Sequence, residues 1–173
     1  MLQRDGYGGA ASFGDVDGDG RPDLLSARVS VGLGEMARAL IAKKMRVGWE
    51  VRRNLGRRFS DGADATKEVD FPVDTSQLAD VEGPYPSVAG DFDGDGRADF
   101  FSAHGTDAFG VWLGGGKKLI ADAPKAIVKI LPSRHYRIVD LDGDRKSDVV
   151  VFYRQRDASA MTIQVLRNTG AGW

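Results

Sequence analysis

The chain has no cysteine, which excludes disulfides and thiolate metal sites. Its only histidines, His104 and His135, lie far apart with no serine or cysteine nucleophile motif beside them. Surface or packing roles are therefore expected for both, and no residue is assigned a catalytic role. No run approaches the roughly 18 apolar residues that cross a bilayer, and Met1-Leu2-Gln3-Arg4-Asp5 lacks the apolar core of a signal peptide. The expectation is a soluble chain that is mature, cytosolic or cut from something longer, with any export signal outside it. At 173 residues, 42% hydrophobic and 28% charged, it reads as one globular domain with a sizeable core.

What is present is a nine-residue pattern repeated three times. Asp91-Phe92-Asp93-Gly94-Asp95-Gly96-Arg97-Ala98-Asp99 is the second copy, residues 15–23 are the first and residues 140–148 the third. Each has aspartate at relative positions 1, 3, 5 and 9 and glycine at position 4, so a short loop can turn its carboxylates inward around one hard cation. Calcium takes about six to eight oxygens; the backbone carbonyl of position 7 and a water would complete the shell. Magnesium, which needs a tighter octahedron, is the weaker candidate. The expected ligands are Asp15, Asp17, Asp19, Arg21 and Asp23 in the first loop, and Asp91, Asp93, Asp95, Arg97 and Asp99 in the second. In the third they are Asp140, Asp142, Asp144, Lys146 and Asp148, with Arg21, Arg97 and Lys146 entering through their carbonyls. The alternative is that these aspartates cap turns without metal. Arg145 replaces the glycine of Gly20 and Gly96, and left-handed geometry there costs about 1–2 kcal/mol, so the third loop is expected to bind most weakly.

An EF-hand would carry glutamate at position 12 and continue into a helix. Here position 12 is Ser26, Ser102 or Val151, and the apolar residues before it (Leu24-Leu25, Phe100-Phe101, Val149-Val150) read as a buried strand. Short apolar runs also precede each loop, giving a unit of strand, loop, strand. Downstream, Trp49-Glu50-Val51-Arg52-Arg53-Asn54-Leu55-Gly56-Arg57-Arg58-Phe59 and Val165-Leu166-Arg167-Asn168-Thr169-Gly170-Ala171-Gly172-Trp173 share a strand and an Asn-x-Gly turn. Val111-Trp112-Leu113-Gly114-Gly115-Gly116 keeps the glycines without the asparagine.

This unit resembles the FG-GAP (VCBS) repeat of integrin-alpha-like β-propellers, whose calcium loop joins the first two strands of a blade. The resemblance implies an all-β fold of β-propeller-like blades, about three FG-GAP-type repeats forming a partial propeller with one short helical insertion. Blade one is expected over 7–74 with the insertion at 33–47, blade two over 85–131 and blade three over 134–173. The insertion is read from the recurrence of Leu33, Met36, Leu40 and of Ala37, Ile41, Met45 at helical spacing, with Gly48 near its end. Three blades fall short of the roughly four to eight of a closed propeller. A segment of a larger propeller is the favoured explanation, beside ring completion by other copies or an irregular fourth unit.

Charge is segregated. Arg38, Lys43, Lys44, Arg46, Arg52, Arg53, Arg57 and Arg58 form a basic run, read as a solvated face or as a patch for an acidic glycan, nucleic acid or anionic lipid. Asp61, Asp64, Glu68, Asp70, Asp74, Asp80 and Glu82 reverse the sign. Three bound calcium ions would add six charges and take the formal net charge from −1 to +5. Trp49, Trp112 and Trp173 suit packing between blades, with sugar stacking the sharper role for Trp112. Gly114-Gly115-Gly116-Lys117-Lys118 lacks the spacing of a phosphate loop.

These features imply a calcium-stabilised, non-enzymatic module for extracellular recognition or adhesion, secreted or at the cell surface and bacterial. Its partner would be an extracellular protein or glycan, with no membrane span and no nucleic acid, and the rest of a larger propeller or a second copy would complete it. The alternatives are the scaffold portion of a larger secreted enzyme or toxin, or a glycan-binding lectin.

Overall fold

The computed structural model describes residues 7–29, 33–72, 87–104, 107–131, 135–154 and 160–173. The protein is all-β, and its described residues form three larger antiparallel sheets in chain order and one separate two-stranded hairpin. Strands β1 (Tyr7–Gly14), β2 (Asp23–Val29), β3 (Lys44–Arg52) and β4 (Ala65–Pro72) form the first sheet in the order β1-β2-β3-β4. The second sheet, in the order β10-β7-β6-β5, holds β5 (Ser87–Gly90), β6 (Asp99–Ala103), β7 (Ala108–Trp112) and, after the separate small hairpin of β8 (Gly114–Gly115) and β9 (Leu119–Ile120), the outer strand β10 (Ala126–Lys129) against β7. The third sheet is β11 (His135–Val139), β12 (Asp148–Tyr153) and β13 (Thr162–Leu166). Each nine-residue loop joins the first two strands of its sheet. No helix among the described residues is long and apolar enough to cross a membrane.

The expected helical insertion is shorter than the spacing suggests. Helix α1 covers Leu33–Ala42, Lys43 turns left-handed at φ 50°, and from Lys44 the chain is already β3. A helix of ten residues is marginal in isolation. Beyond it the alternation of Val47, Trp49 and Val51, all buried, wins because β3 pairs with β2 on one side and β4 on the other. Gly48 lies inside that strand. Leu33 and Ile41 are 90% and 85% exposed, so the stripe that suggested an amphipathic helix is not buried at those positions.

The basic run and the acidic stretch face each other. Arg46 pairs with Glu68 at 3.3 Å and Asp70 at 3.6 Å, Arg53 with Asp64 at 3.0 Å, and Arg58 with Asp61 at 3.2 Å. Buried Arg52 donates to the carbonyls of Ser60 and Asp61. Much of the segment is thus balanced within blade one. Asp74, Asp80, Glu82 and the Tyr85-Pro86 entry to blade two lie outside the described residues.

The core is two layers between three blades. Adjacent residues of one strand point to opposite faces, so Phe100 enters the first layer and Phe101 the second. The first packs Val16, Leu25, Trp49 and Val51 of blade one against Phe100, Trp112, Leu119 and Ile120 of blade two. In the second, Phe92, Phe101, Phe109 and Val111 of blade two meet Val149 and Val151 of blade three.

Candidate metal centre

The three loops fold alike. The position 1 carboxylate accepts the backbone N–H groups of positions 4 and 6: Asp15 from Gly18 and Gly20, both at 2.8 Å; Asp91 from Gly94 at 2.6 Å and Gly96 at 2.7 Å; Asp140 from Gly143 at 2.7 Å and Arg145 at 3.0 Å. Positions 4 and 6 need positive φ, and Arg145 adopts 71° where Gly20 and Gly96 have 83° and 86°. The loop geometry therefore prevails over the local preference of an arginine.

Carboxylate oxygens converge in each loop. Those of Asp15, Asp17 and Asp19, of Asp91, Asp93 and Asp99, and of Asp140, Asp142 and Asp148 lie within 4.8 Å of one another. These all-oxygen sets fit a hard cation of the calcium class. Burial, with the charge of Asp17 adding to it, holds Asp23 of the first loop above the usual carboxylate range, and the second loop shows the same effect. Burial pushes Asp93 above the usual carboxylate range, and the charges of Asp95 and Asp91 push it further. Burial also takes Asp99 up to about 6, against hydrogen bonds from Gly114 and Phe92, with Asp93 and Asp91 adding to the rise. A cation would relieve both effects.

Position 9 does something the sequence did not suggest. Asp23, Asp99 and Asp148 are buried, and each accepts one N–H from position 2 of its own loop and one from the turn after the third strand. Asp99 takes Phe92 and Gly114, both at 2.7 Å, while Asp23 takes Val16 and Asn54, and Asp148 takes Leu141 and Asn168. This latch ties the loop to the turn, which is why the motif and the Asn-x-Gly turn travel together. In blade two Gly114 replaces the asparagine because a Cβ there would stand 2.1 Å from the Ala98 carbonyl oxygen.

The position 7 side chains fold onto position 5: Arg21 onto Asp19, Arg97 onto Asp95 at 3.2 Å and Lys146 onto Asp144 at 3.0 Å. Lys146 holds Asp144 below the usual range, first through its backbone N–H and then through its ammonium group. Arg167, unforeseen from sequence, pairs with Asp142.

The loops also join across blades. The N–H of position 8 donates to the position 1 carbonyl of the preceding loop, Ala98 to Asp15 and Ser147 to Asp91, both at 2.7 Å. Asp91 N–H donates in return to the Ser147 hydroxyl at 3.1 Å, and the Asn168 amide donates to the Phe92 carbonyl at 2.8 Å.

Trp112, a candidate for sugar stacking, is 3% exposed and sits edge-on to Trp49 at 4.9 Å, inside the core between blades one and two. Neither ring face is open to a sugar, so its role is packing. Trp173 likewise packs on Phe92 and Phe109. His104 directly follows β6 and His135 begins β11, in different blades. Gly114 and Gly115 form β8 of a hairpin, and Arg97 lies against Gly115, so the glycine run makes room for a loop side chain.

Comparison with curated proteins gives no match. Comparison with protein families matches residues 91–151 to an FG-GAP-like repeat. That span runs from the first aspartate of loop two to Val151 in β12, and blade one shows the same loop, latch and strand register. The chain therefore carries an FG-GAP-like repeat across residues 91–151.

Proposed function

We propose that the protein is a calcium-stabilised, non-enzymatic β-propeller-type module that presents its surface for recognition or adhesion outside the cell. The convergence of three carboxylates in each of three loops carries this reading. Bound calcium would supply positive charge at the junction of the first two strands of each blade, and the protein's part is to orient the oxygens. Position 1 is fixed by backbone N–H groups, position 9 is anchored in the core, and positions 3 and 5 complete the rim. Four carboxylates per loop suit a calcium-rich compartment, which supports secretion or display on a bacterial surface. The partner would be an extracellular protein or glycan.

Thermal melting in calcium, in magnesium and in chelator tests the metal part. Calcium should raise the melting temperature well above both other conditions, and Asp91→Asn should remove part of that rise. Equal melting in all three conditions would defeat the reading. A glycan array and a panel of extracellular matrix proteins, each probed with and without calcium, would test the recognition part.

A further inference from the structure

Loop two is held by the blade that follows it more extensively than loop one is. At both joints the position 8 N–H donates to the position 1 carbonyl of the preceding loop, Ala98 to Asp15 and Ser147 to Asp91, each at 2.7 Å. Blade three adds two side chains. The Ser147 hydroxyl accepts the Asp91 N–H at 3.1 Å, and the Asn168 amide donates to the Phe92 carbonyl at 2.8 Å and to the Ser147 carbonyl at 3.3 Å. At the first joint the equivalent of Ser147 is Ala98, which has no hydroxyl. The equivalent of Asn168 is Gly114, since each donates its backbone N–H to the position 9 aspartate of its blade, and Gly114 has no amide to offer.

Both side chains are enclosed, Ser147 being 9% exposed and Asn168 5%. Gly90 admits the serine, because a Cβ there would stand 2.4 Å from Ser147 Oγ. What they hold is backbone of loop two: Asp91 is gripped at its N–H and its carbonyl, and Phe92 at its carbonyl. Asp91 is also the residue whose carboxylate organises the loop, accepting Gly94 and Gly96 and converging with Asp93 and Asp99. Fixing its backbone fixes where that carboxylate stands before a cation arrives, so less ordering is left to oppose binding. Among the described residues nothing plays this part for loop three, where Leu141 at position 2 is 51% exposed and its counterpart Phe92 is 5%.

We propose that Ser147 and Asn168 are positioning residues of the loop two site: its calcium affinity depends on blade three being docked, and the ion in loop two fastens blade three to blade two. The dependence is reciprocal, since whatever docking adds to calcium binding, calcium adds to docking. These roles rest on the calcium reading of the loops and specify which contacts set the strength of one of them.

Calorimetric calcium titration of the full chain tests the proposal, with Asp17→Asn and Asp93→Asn marking the steps that belong to loops one and two. Ser147→Ala and Asn168→Gly give blade three the residues that blade two already carries at these positions, and both keep every backbone donor. Together they should weaken the step that Asp93→Asn abolishes by about tenfold and leave the step that Asp17→Asn abolishes unchanged. Ser147→Ala alone should show a smaller loss in the same step, and keeps the test open if the double variant does not fold. Amide exchange at Ser147 should slow when calcium is added to the unaltered chain and not when it is added to Asp93→Asn. A loop two step of unchanged strength, or all steps weakened alike, would overturn the proposal and leave both side chains a packing role. No calcium uptake by the unaltered chain would instead overturn the calcium reading beneath it.

Discussion

Loops two and three carry the same four aspartates, yet their surroundings differ. In loop two Phe92 and Asp99 are buried and Asp91 and Asp93 half-buried, under the edge of blade three. Lys146 of loop three lies against Gly94, and Ser147 exchanges hydrogen bonds with Asp91. In loop three Asp140, Leu141 and Asp142 are exposed, and no side chain comes within 4 Å of where a Gly143 Cβ would be. Lys146 and Arg167 already hold Asp144 and Asp142. Loop two thus has the greater unrelieved repulsion and the tighter cage, and loop three is partly neutralised by its own chain. A sequence motif sets which oxygens are offered; the neighbouring blade sets how strongly a cation is wanted.

The largest effect should come from breaking the difference between covered and open blades. Phe109→Ala removes a fully buried ring between blades two and three and should cost about 3–5 kcal/mol. The same truncation at its repeat equivalent, Ile163→Ala, should stay within about 0.5 kcal/mol, both read from denaturant midpoints of the single chain. Next in size is Gly90→Val, which copies blade three's residue into blade two. It should cost about 1–3 kcal/mol by forcing Ser147 and Ile138 away, whereas Val139→Gly should be far milder. Arg145→Gly should stabilise the fold by about 1 kcal/mol by removing a side chain from left-handed backbone, and should bring the third loop's calcium affinity closer to that of the first two.

The smallest expected effect is a pH dependence that is largest in loop two, with Asp23 of loop one also held above the usual carboxylate range, chiefly by burial. Asp99, held up to about 6 chiefly by burial, binds its proton more readily in the folded chain than in the unfolded one. The metal-free fold should therefore gain stability as pH falls through about 6 and lose it as pH rises through the same range. Calcium competes with that proton, so calcium affinity of loop two should fall below that pH. Titrations on either side of pH 6 check this, and Asp99→Asn should remove the largest part of the dependence, leaving the smaller contributions of Asp93 and Asp23.

Much of the fold was legible because its determinants are local. The loops announce themselves by aspartate spacing, and the strands beside them by short apolar runs. The start of β3 was not, because Met45 fits a helical stripe as well as a strand, and only pairing with β2 and β4 decides between them. The carboxylates of the candidate site were legible as a set, but not the division of labour within it. Nothing in the spacing says that Asp23, Asp99 and Asp148 latch the turn while the other aspartates line the rim, since the turn lies about thirty residues away in blade one. Trp112 shows the opposite hazard: beside a glycine turn it suggests an exposed ring, and the register places it in the core.

The central claim is that these loops are structural calcium sites. Calorimetric titration of the metal-stripped chain, followed by melting with and without chelator, tests it most directly. The account predicts about three ions bound, the weakest at loop three, and a melting temperature that falls clearly when calcium is removed. No binding heat and no shift in melting would contradict it, leaving a blade array held by aspartate-capped turns alone.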